Sequence, residues 1–257
     1  MKTARYDQLE VRQYGDRAAL GRAAAEHARG IILAACAMRG EARVIFACAP
    51  SQNEFLAALT AQPPCVAWTK VAVFHMDEYV GLTASHHQSF RHYLRTHLLD
   101  QIPPPKSVQL ILGEAPSIDA ECARYRRLLM EKPIDLVCMG IGENGHIAFN
   151  DPPVADFADP KWIKPVNLDL ACRQQQVNDG CFATLDLVPQ TALTLTIPAL
   201  LGARAISCVV PGQRKAGAVR DTLLKPISEK CPASILRQHA NGVLHIDPDA
   251  ACLLGDG

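Results

Sequence analysis

No stretch of this 257-residue chain is long and apolar enough to suggest a membrane span: the longest apolar run, Ile31 to Met38, falls far short of the roughly 20 residues a bilayer requires. The N-terminal segment MKTARYDQLEVRQYGDR has no apolar h-region, so no secretion signal is expected. Neither sign of charge is in surplus. Lys plus Arg and Asp plus Glu both number 26, which leaves no global field to hold nucleic acid or an anionic membrane. CxxC pairs are absent although there are ten cysteines, and no close-spaced Cys/His set suits zinc. Cysteines inside apolar runs, such as IFAC48 and LVC138, instead read as buried free thiols of a cytoplasmic protein.

What is present is ample core material: 49% hydrophobic residues and 20% charged, the balance of a globular chain rather than a disordered one. No repeat or long linker divides it, so residues 1–257 read as one domain. Apolar runs at Arg43–Cys48, Lys70–His75, Val108–Leu112, Ile134–Met139, Ile206–Val210 and Val243–Ile246 are continuous rather than alternating, as in strands covered on both faces. Helical patterns at Asp16–Met38, Asn53–Ala61, Gln88–Asp100, Ile118–Glu131 and Arg214–Leu224 lie between them. Such alternation predicts an α/β fold with a mostly parallel sheet, whose ligands bind beyond the carboxyl ends of the strands.

Three strand ends carry unusual residues. The first is His75-Met76-Asp77-Glu78-Tyr79-Val80-Gly81. Its two acids read either as solvated loop carboxylates or as a general base atop the sheet, and extended geometry lets only one of them face a given pocket. The second, Gly140-Ile141-Gly142-Glu143-Asn144-Gly145-His146, ends in FNDPP with Asp151 five residues past the histidine. It matches GxGxxG, but a dinucleotide fingerprint needs a helix opening at the third glycine, and Pro152 and Pro153 oppose one. A carboxylate near a histidine in a glycine-rich loop can instead fix the imidazole for proton transfer. The third is Pro211-Gly212-Gln213-Arg214-Lys215, where basic side chains oppose a helix N-terminal dipole unless an anion is held there.

Together these segments resemble the glucosamine-6-phosphate deaminase/isomerase family. MDEYVGL, GENGHIAFNDP and GQRKA are each close to a family motif and occur in the family's order; APSIDAECARYRRLL is also similar, and the likeness runs from about Val44 to His245. The resemblance implies a three-layer α/β/α, modified Rossmann-like fold. It implies an enzyme that opens an amino-sugar phosphate, moves a proton between C2 and C1, and releases ammonia and a ketose phosphate. Asp77 would carry that proton. His146 would assist ring opening, oriented by Asp151 and supported by Asn144. Lys215 would hold the phosphate, with Ser51, Gly142, Gly145 and Arg173 also lining the substrate site. Neither a metal nor a redox cofactor is implied, self-association is left open, and the sugar epimer is not specified.

Three departures stand out. Asp151 replaces the family's Glu. The family's lid arginine falls near Asp179 and Gly180, leaving Arg173 as the nearby substitute. The first-strand loop, Cys48-Ala49-Pro50-Ser51-Gln52-Asn53-Glu54, lacks the family's glycines, and Ser51 with Glu54 forms an S-x-x-E capping box that would occupy phosphate-binding donors. That loop predicts weaker phosphate discrimination. Two rival readings are a 6-phosphogluconolactonase-like hydrolase and a non-catalytic sugar-phosphate-binding regulator on the same fold. The combination of Asp77, His146 and Asp151 argues against both, since a binding module needs no general base beside a histidine.

Overall fold

The computed structural model describes residues 1–61 and 66–255. In chain order the elements are β1 (Lys2–Tyr6), β2 (Leu9–Gln13), α1 (Arg17–Arg39), β3 (Ala42–Phe46), α2 (Asn53–Thr60), β4 (Val71–His75), β5 (Asp77–Tyr79), α3 (Phe90–His97), β6 (Ser107–Gln109), α4 (Ile118–Met130), β7 (Leu136–Met139), β8 (Ile163–Asn167), α5 (Leu170–Asn178), β9 (Thr191–Leu195), α6 (Ile197–Leu201), β10 (Ile206–Val210), α7 (Ala216–Leu224), β11 (Gly242–Ile246) and α8 (Pro248–Ala251). Eight strands form the main sheet in the order β1-β2-β11-β10-β7-β3-β4-β6, parallel throughout except for the β1–β2 hairpin at one edge. A second sheet, β5-β9-β8, is antiparallel.

The continuous apolar runs have the predicted cause. Along β3, Ile45 joins one core cluster while Val44 and Phe46 join the other; β7 likewise sends Val137 and Met139 to one and Leu136 and Cys138 to the other. The first cluster packs under α4, α6, α7 and α8, the second under α1, α2 and α3, which makes three layers. Helix α1 begins where Asp16 accepts from the Ala19 N–H at 2.6 Å and ends at Gly40, whose φ of 77° closes the last turn. The N-terminal segment, too polar to register as strand, adds a hairpin through parallel pairing of β2 with β11. The nine described cysteines carry free thiols; Cys65 lies outside the described residues. Among the described residues no helix is long and apolar enough to cross a membrane.

Candidate active site

From β3 the chain builds outward through β4 and β6, then returns to the other side of β3 and builds through β7, β10 and β11. The carboxyl ends of β3 and β7 therefore part into a crevice, the place where such sheets bind ligands. A cleft of about 630 Å³ opens there, lined by the loops after β3, β4, β7 and β10 and by α5.

Asp77 and Glu78 divide as alternation requires. Glu78 is fully buried away from the cleft; it accepts from Ser89 Oγ (2.8 Å), from the N–H groups of Tyr79, Phe90 and Arg91, and from Arg91 Nε (3.1 Å). It thus closes the first turn of α3. Asp77 faces the cleft, and no hydrogen bond reaches its carboxylate among the described residues. Burial, and then the negative charge of Glu78, push its pKa well above the usual carboxylate range. The strand end before it is held by α4: the Tyr125 hydroxyl donates to the His75 carbonyl (2.8 Å) and accepts from the His75 N–H (3.1 Å).

The glycine-rich loop is a tight turn, with no helix at its third glycine. His146 Nδ1 lies 2.9 Å from Asp151 Oδ1, so the imidazole presents its other nitrogen away from the carboxylate. Asn144 donates from Nδ2 to the same oxygen (2.8 Å) and accepts from the His146 N–H (3.0 Å), which fixes both partners at once. Burial raises the Asp151 pKa, but the nearness of the His146 imidazole, the hydrogen bond from Asn144 and the adjacent Cys172 thiol outweigh this and hold it below its ordinary value. Gly142 is required sterically: a Cβ there would stand 2.2 Å from His146 Cε1. Gly145 has a φ of 85° and lies against Cys231, where a Cβ would meet Sγ at 2.7 Å. Neither Asn144 nor Gly145 lines the cleft; both shape the loop that does.

The second sheet registers these two halves against each other. Asp77 pairs with Thr194 of β9, whose Oγ1 accepts from the Phe149 N–H at 3.0 Å; Asn150 Nδ2 donates to the Leu195 carbonyl at 2.8 Å. Base and histidine are thus both tied to β9. Cys172 of α5 lies behind the pair, its sulfur and the ligating atoms of His146 and Asp151 all within 4.8 Å of one another. This trio is the one metal-type cluster among the described residues. At 2.9 Å, Nδ1 and Oδ1 are at hydrogen-bonding distance.

Lys215 closes the far end of the cleft, 8% exposed. Burial lowers its pKa, partly opposed by Asp179 and Glu143, which act on it through space. Ser51 lies opposite; its Oγ accepts from Gln52 Nε2 (3.1 Å), which leaves its own proton free to donate. The expected capping box does not form. The residue capping α2 is Gln52, with no side-chain cap, and Glu54 pairs with Arg17 at 2.7 Å instead. A longer-range cation outcompetes a local cap, so Ser51 stays available. Arg173 is not brought to the cleft: its guanidinium donates to the carbonyls of Leu185 (2.7 Å) and Val188 (3.1 Å). Of the Gly212 turn, the Gly212 N–H is taken by buried Asp247 at 3.0 Å. Gln175, Gln176 and Asp179 of the α5 region line the cleft without a motif to announce them.

Fold and site together bring a buried carboxylate, a carboxylate-paired histidine and a lysine to one cleft at the strand ends of an α/β fold. A family model for glucosamine-6-phosphate isomerases/6-phosphogluconolactonase matches residues 15–245. Glucosamine-6-phosphate deaminase of Listeria welshimeri is 38% identical over 186 residues, 72% of this chain and 77% of that one; its counterpart in Lactobacillus delbrueckii is 34% identical over 189 residues, 73% and 77%. The solved structure of a monomeric glucosamine-6-phosphate deaminase superposes with a TM-score of 0.86 at 28% identity, over 95% of this chain and 99% of that one. A 6-phosphogluconolactonase from Shewanella baltica shares the fold at a TM-score of 0.74 and 18% identity, over 92% and 97%. The chain belongs to the glucosamine-6-phosphate isomerase/6-phosphogluconolactonase family and is an enzyme of its deaminase-like type.

Proposed function

We propose that this enzyme converts glucosamine 6-phosphate, or an epimer such as galactosamine 6-phosphate, with water into the ketose 6-phosphate and ammonia. One observation carries the reading: an ionisable carboxylate free of hydrogen bonds among the described residues, Asp77, shares a cleft with a histidine whose far side is fixed by Asp151. His146 passes a proton between the anomeric hydroxyl and the ring oxygen, which opens the sugar to its aldehyde. Asp77 removes the C2 proton and returns it to C1, while the C2 ammonium gives up one proton to the former aldehyde oxygen, which becomes the C1 hydroxyl. The product is an iminium at C2, and addition of water there expels ammonia and leaves the ketone. Asp77 suits this task because its raised pKa makes it a stronger base than an exposed carboxylate. Lys215 and Ser51 take the phosphate, with Gly142 and Gly145 giving the loop its close approach. The free, largely buried thiols fit a reducing cytoplasm.

The test is ammonia release from glucosamine, galactosamine and mannosamine 6-phosphates, beside the unphosphorylated sugars and 6-phosphogluconolactone. Ammonia with stoichiometric ketose phosphate is the expected result. Lactone hydrolysis without ammonia, or binding with no turnover of any of them, overturns the reading.

A further inference from the structure

Beside the catalytic cleft, and sharing Pro50, Ser51, Asp179 and Lys215 with it, lies a second hollow of about 850 Å³. It is bounded by Arg17 and by the Gly212–Arg214 turn. Two arginines therefore flank Lys215, and they are held very differently. Arg17 is engaged firmly, with Nε 2.7 Å from Glu54 and Nη2 donating to the Pro50 carbonyl at 3.1 Å. Arg214 is engaged loosely. Its guanidinium stands 3.5 Å from Asp179 Oδ1 and 3.9 Å from Glu143 Oε1, with one short bond, 2.8 Å, to the Asn178 carbonyl. Its side chain is 57% exposed, and ion pairs of that length and exposure contribute little, about 0–1 kcal/mol.

The arrangement has a second peculiarity. Asp179 and Glu143 both act on Lys215 as well as on Arg214, so the same two carboxylates are shared between both cations, each at long range. Lys215 is 8% exposed as a residue, and its ammonium makes no hydrogen bond or ion pair among the described residues. A buried cation without a direct partner beside a loosely paired arginine is a site that awaits a stronger anion. A phosphate dianion, with twice the charge of a carboxylate and free to turn two oxygens toward the guanidinium, outcompetes carboxylates held in long single contacts of 3.5 and 3.9 Å.

We propose that Arg214 is a specificity-determining residue of this enzyme: it exchanges Asp179 and Glu143 for the substrate's phosphate group and so supplies, with Lys215, the second cation of the anion site. This rests on the sugar-phosphate reading above. Because Arg214 also joins the end of α5 to the Glu143 loop, phosphate binding would loosen that junction as it forms.

The experiment is calorimetric titration of inorganic phosphate, which needs no turnover, into wild type and into Arg214→Gln, Arg214→Lys and Asp179→Asn, with folding checked by thermal unfolding. Arg214→Gln should weaken phosphate binding about tenfold, and Arg214→Lys should restore only part of the loss, because an ammonium cannot bind in two-pronged fashion. Asp179→Asn should tighten binding, since the competing anion is gone. Unchanged phosphate affinity in Arg214→Gln, weaker binding in Asp179→Asn, or no measurable binding by wild type overturns the proposal. Phosphate binding through Arg214 in a protein that releases no ammonia would leave it standing and remove only the deaminase reading.

Discussion

Asp77 and Glu78 are neighbours in the chain with opposite surroundings: donors from α3 surround the Glu78 carboxylate, while that of Asp77 meets the cleft with no hydrogen bond among the described residues. One holds structure and the other is held ready. The sign of the Asp77 shift makes this measurable. Its folded pKa lies above the unfolded one, so the fold favours the protonated carboxyl. That contribution is full below the unfolded pKa and disappears as pH rises through the folded value. At neutral pH, far above the unfolded pKa, burying this group costs stability relative to a neutral side chain of the same shape. Asp77→Asn should be more stable than wild type at pH 7, by about 1 kcal/mol or more, or roughly 2–4 °C in Tm per kcal/mol. The gain should shrink in acid. In the same variant, C2 proton exchange should fall by about 10²–10⁴-fold. Scanning calorimetry across pH together with exchange in heavy water checks both; a less stable variant with near-normal exchange would make Asp77 a structural acid like its neighbour.

Gly142 is a place where one methyl group decides the geometry of the site. The Cβ of Gly142→Ala would fall among the ring atoms of His146, 2.2 Å from Cε1. The imidazole must turn off Asp151 or the loop must move, at about 1–3 kcal/mol, and a displaced acid/base group costs about 10²-fold in kcat. Gly217 provides the contrast. It lies inside α7 with nothing within 4 Å of a built Cβ, so Gly217→Ala should stabilise by about 0.5–1 kcal/mol and leave turnover intact. Equal losses of activity in both variants would assign the Gly142 effect to general disturbance.

The parallel half of the fold was legible because burial on both faces writes itself as unbroken apolar runs. The β1–β2 hairpin was not, since its first strand is mostly exposed and its sequence polar. Nor was the three-stranded sheet, and with it went Thr194, an ordinary threonine that joins Asp77 to the His146 loop only because distant segments meet there. The residues proposed to be catalytic stood out because glycine, histidine and carboxylates at strand ends are hard to explain as packing. Arg173 misled because a guanidinium on a polar helix has no local signature of its target. The S-x-x-E pattern of Ser51 and Glu54 misled because Arg17, from another element, claims the glutamate. Gln175 and Asp179 reach the cleft from α5 and its C-cap, whose sequence carries no motif at all.

In the proposed reaction the His146–Asp151 pair serves ring opening and Asp77 the proton transfer, so variants of the pair separate the two steps. His146→Gln keeps a hydrogen-bonding side chain but shuttles no proton at neutral pH, and Asp151→Asn leaves Nδ1 without its charged acceptor. Both should lower turnover of the cyclic substrate by about 10²-fold or more. Open-chain analogues, which need no ring opening, should lose much less. Stopped-flow comparison of the two substrate forms makes the distinction, and equal losses on both would move His146 to the proton-transfer step.

The last expectation concerns how the phosphate is recognised when the first-strand loop has no glycine from Cys48 to Glu54 and Pro50 offers no N–H. Backbone donors are fewer here than in a glycine-rich loop, and the Gly212 N–H is already committed to Asp247. Side chains must carry the discrimination. Ser51, freed from the capping box and oriented by Gln52, offers one neutral hydroxyl; Lys215 offers a buried charge. A charged hydrogen bond is worth about 1.5–3 kcal/mol and a neutral one about 0.5–1.5 kcal/mol. Lys215→Ala should therefore reduce the ratio of kcat/KM for phosphorylated over free amino sugar by about 10–100-fold, and Ser51→Ala by about 2–10-fold. The free sugar should be little affected by either. If a large phosphate preference outlives Lys215 and also outlives Arg214→Gln in the same chain, the loop after β3 is binding the anion through its backbone despite lacking glycine. If the wild type shows little preference to begin with, the natural substrate carries another group at that end.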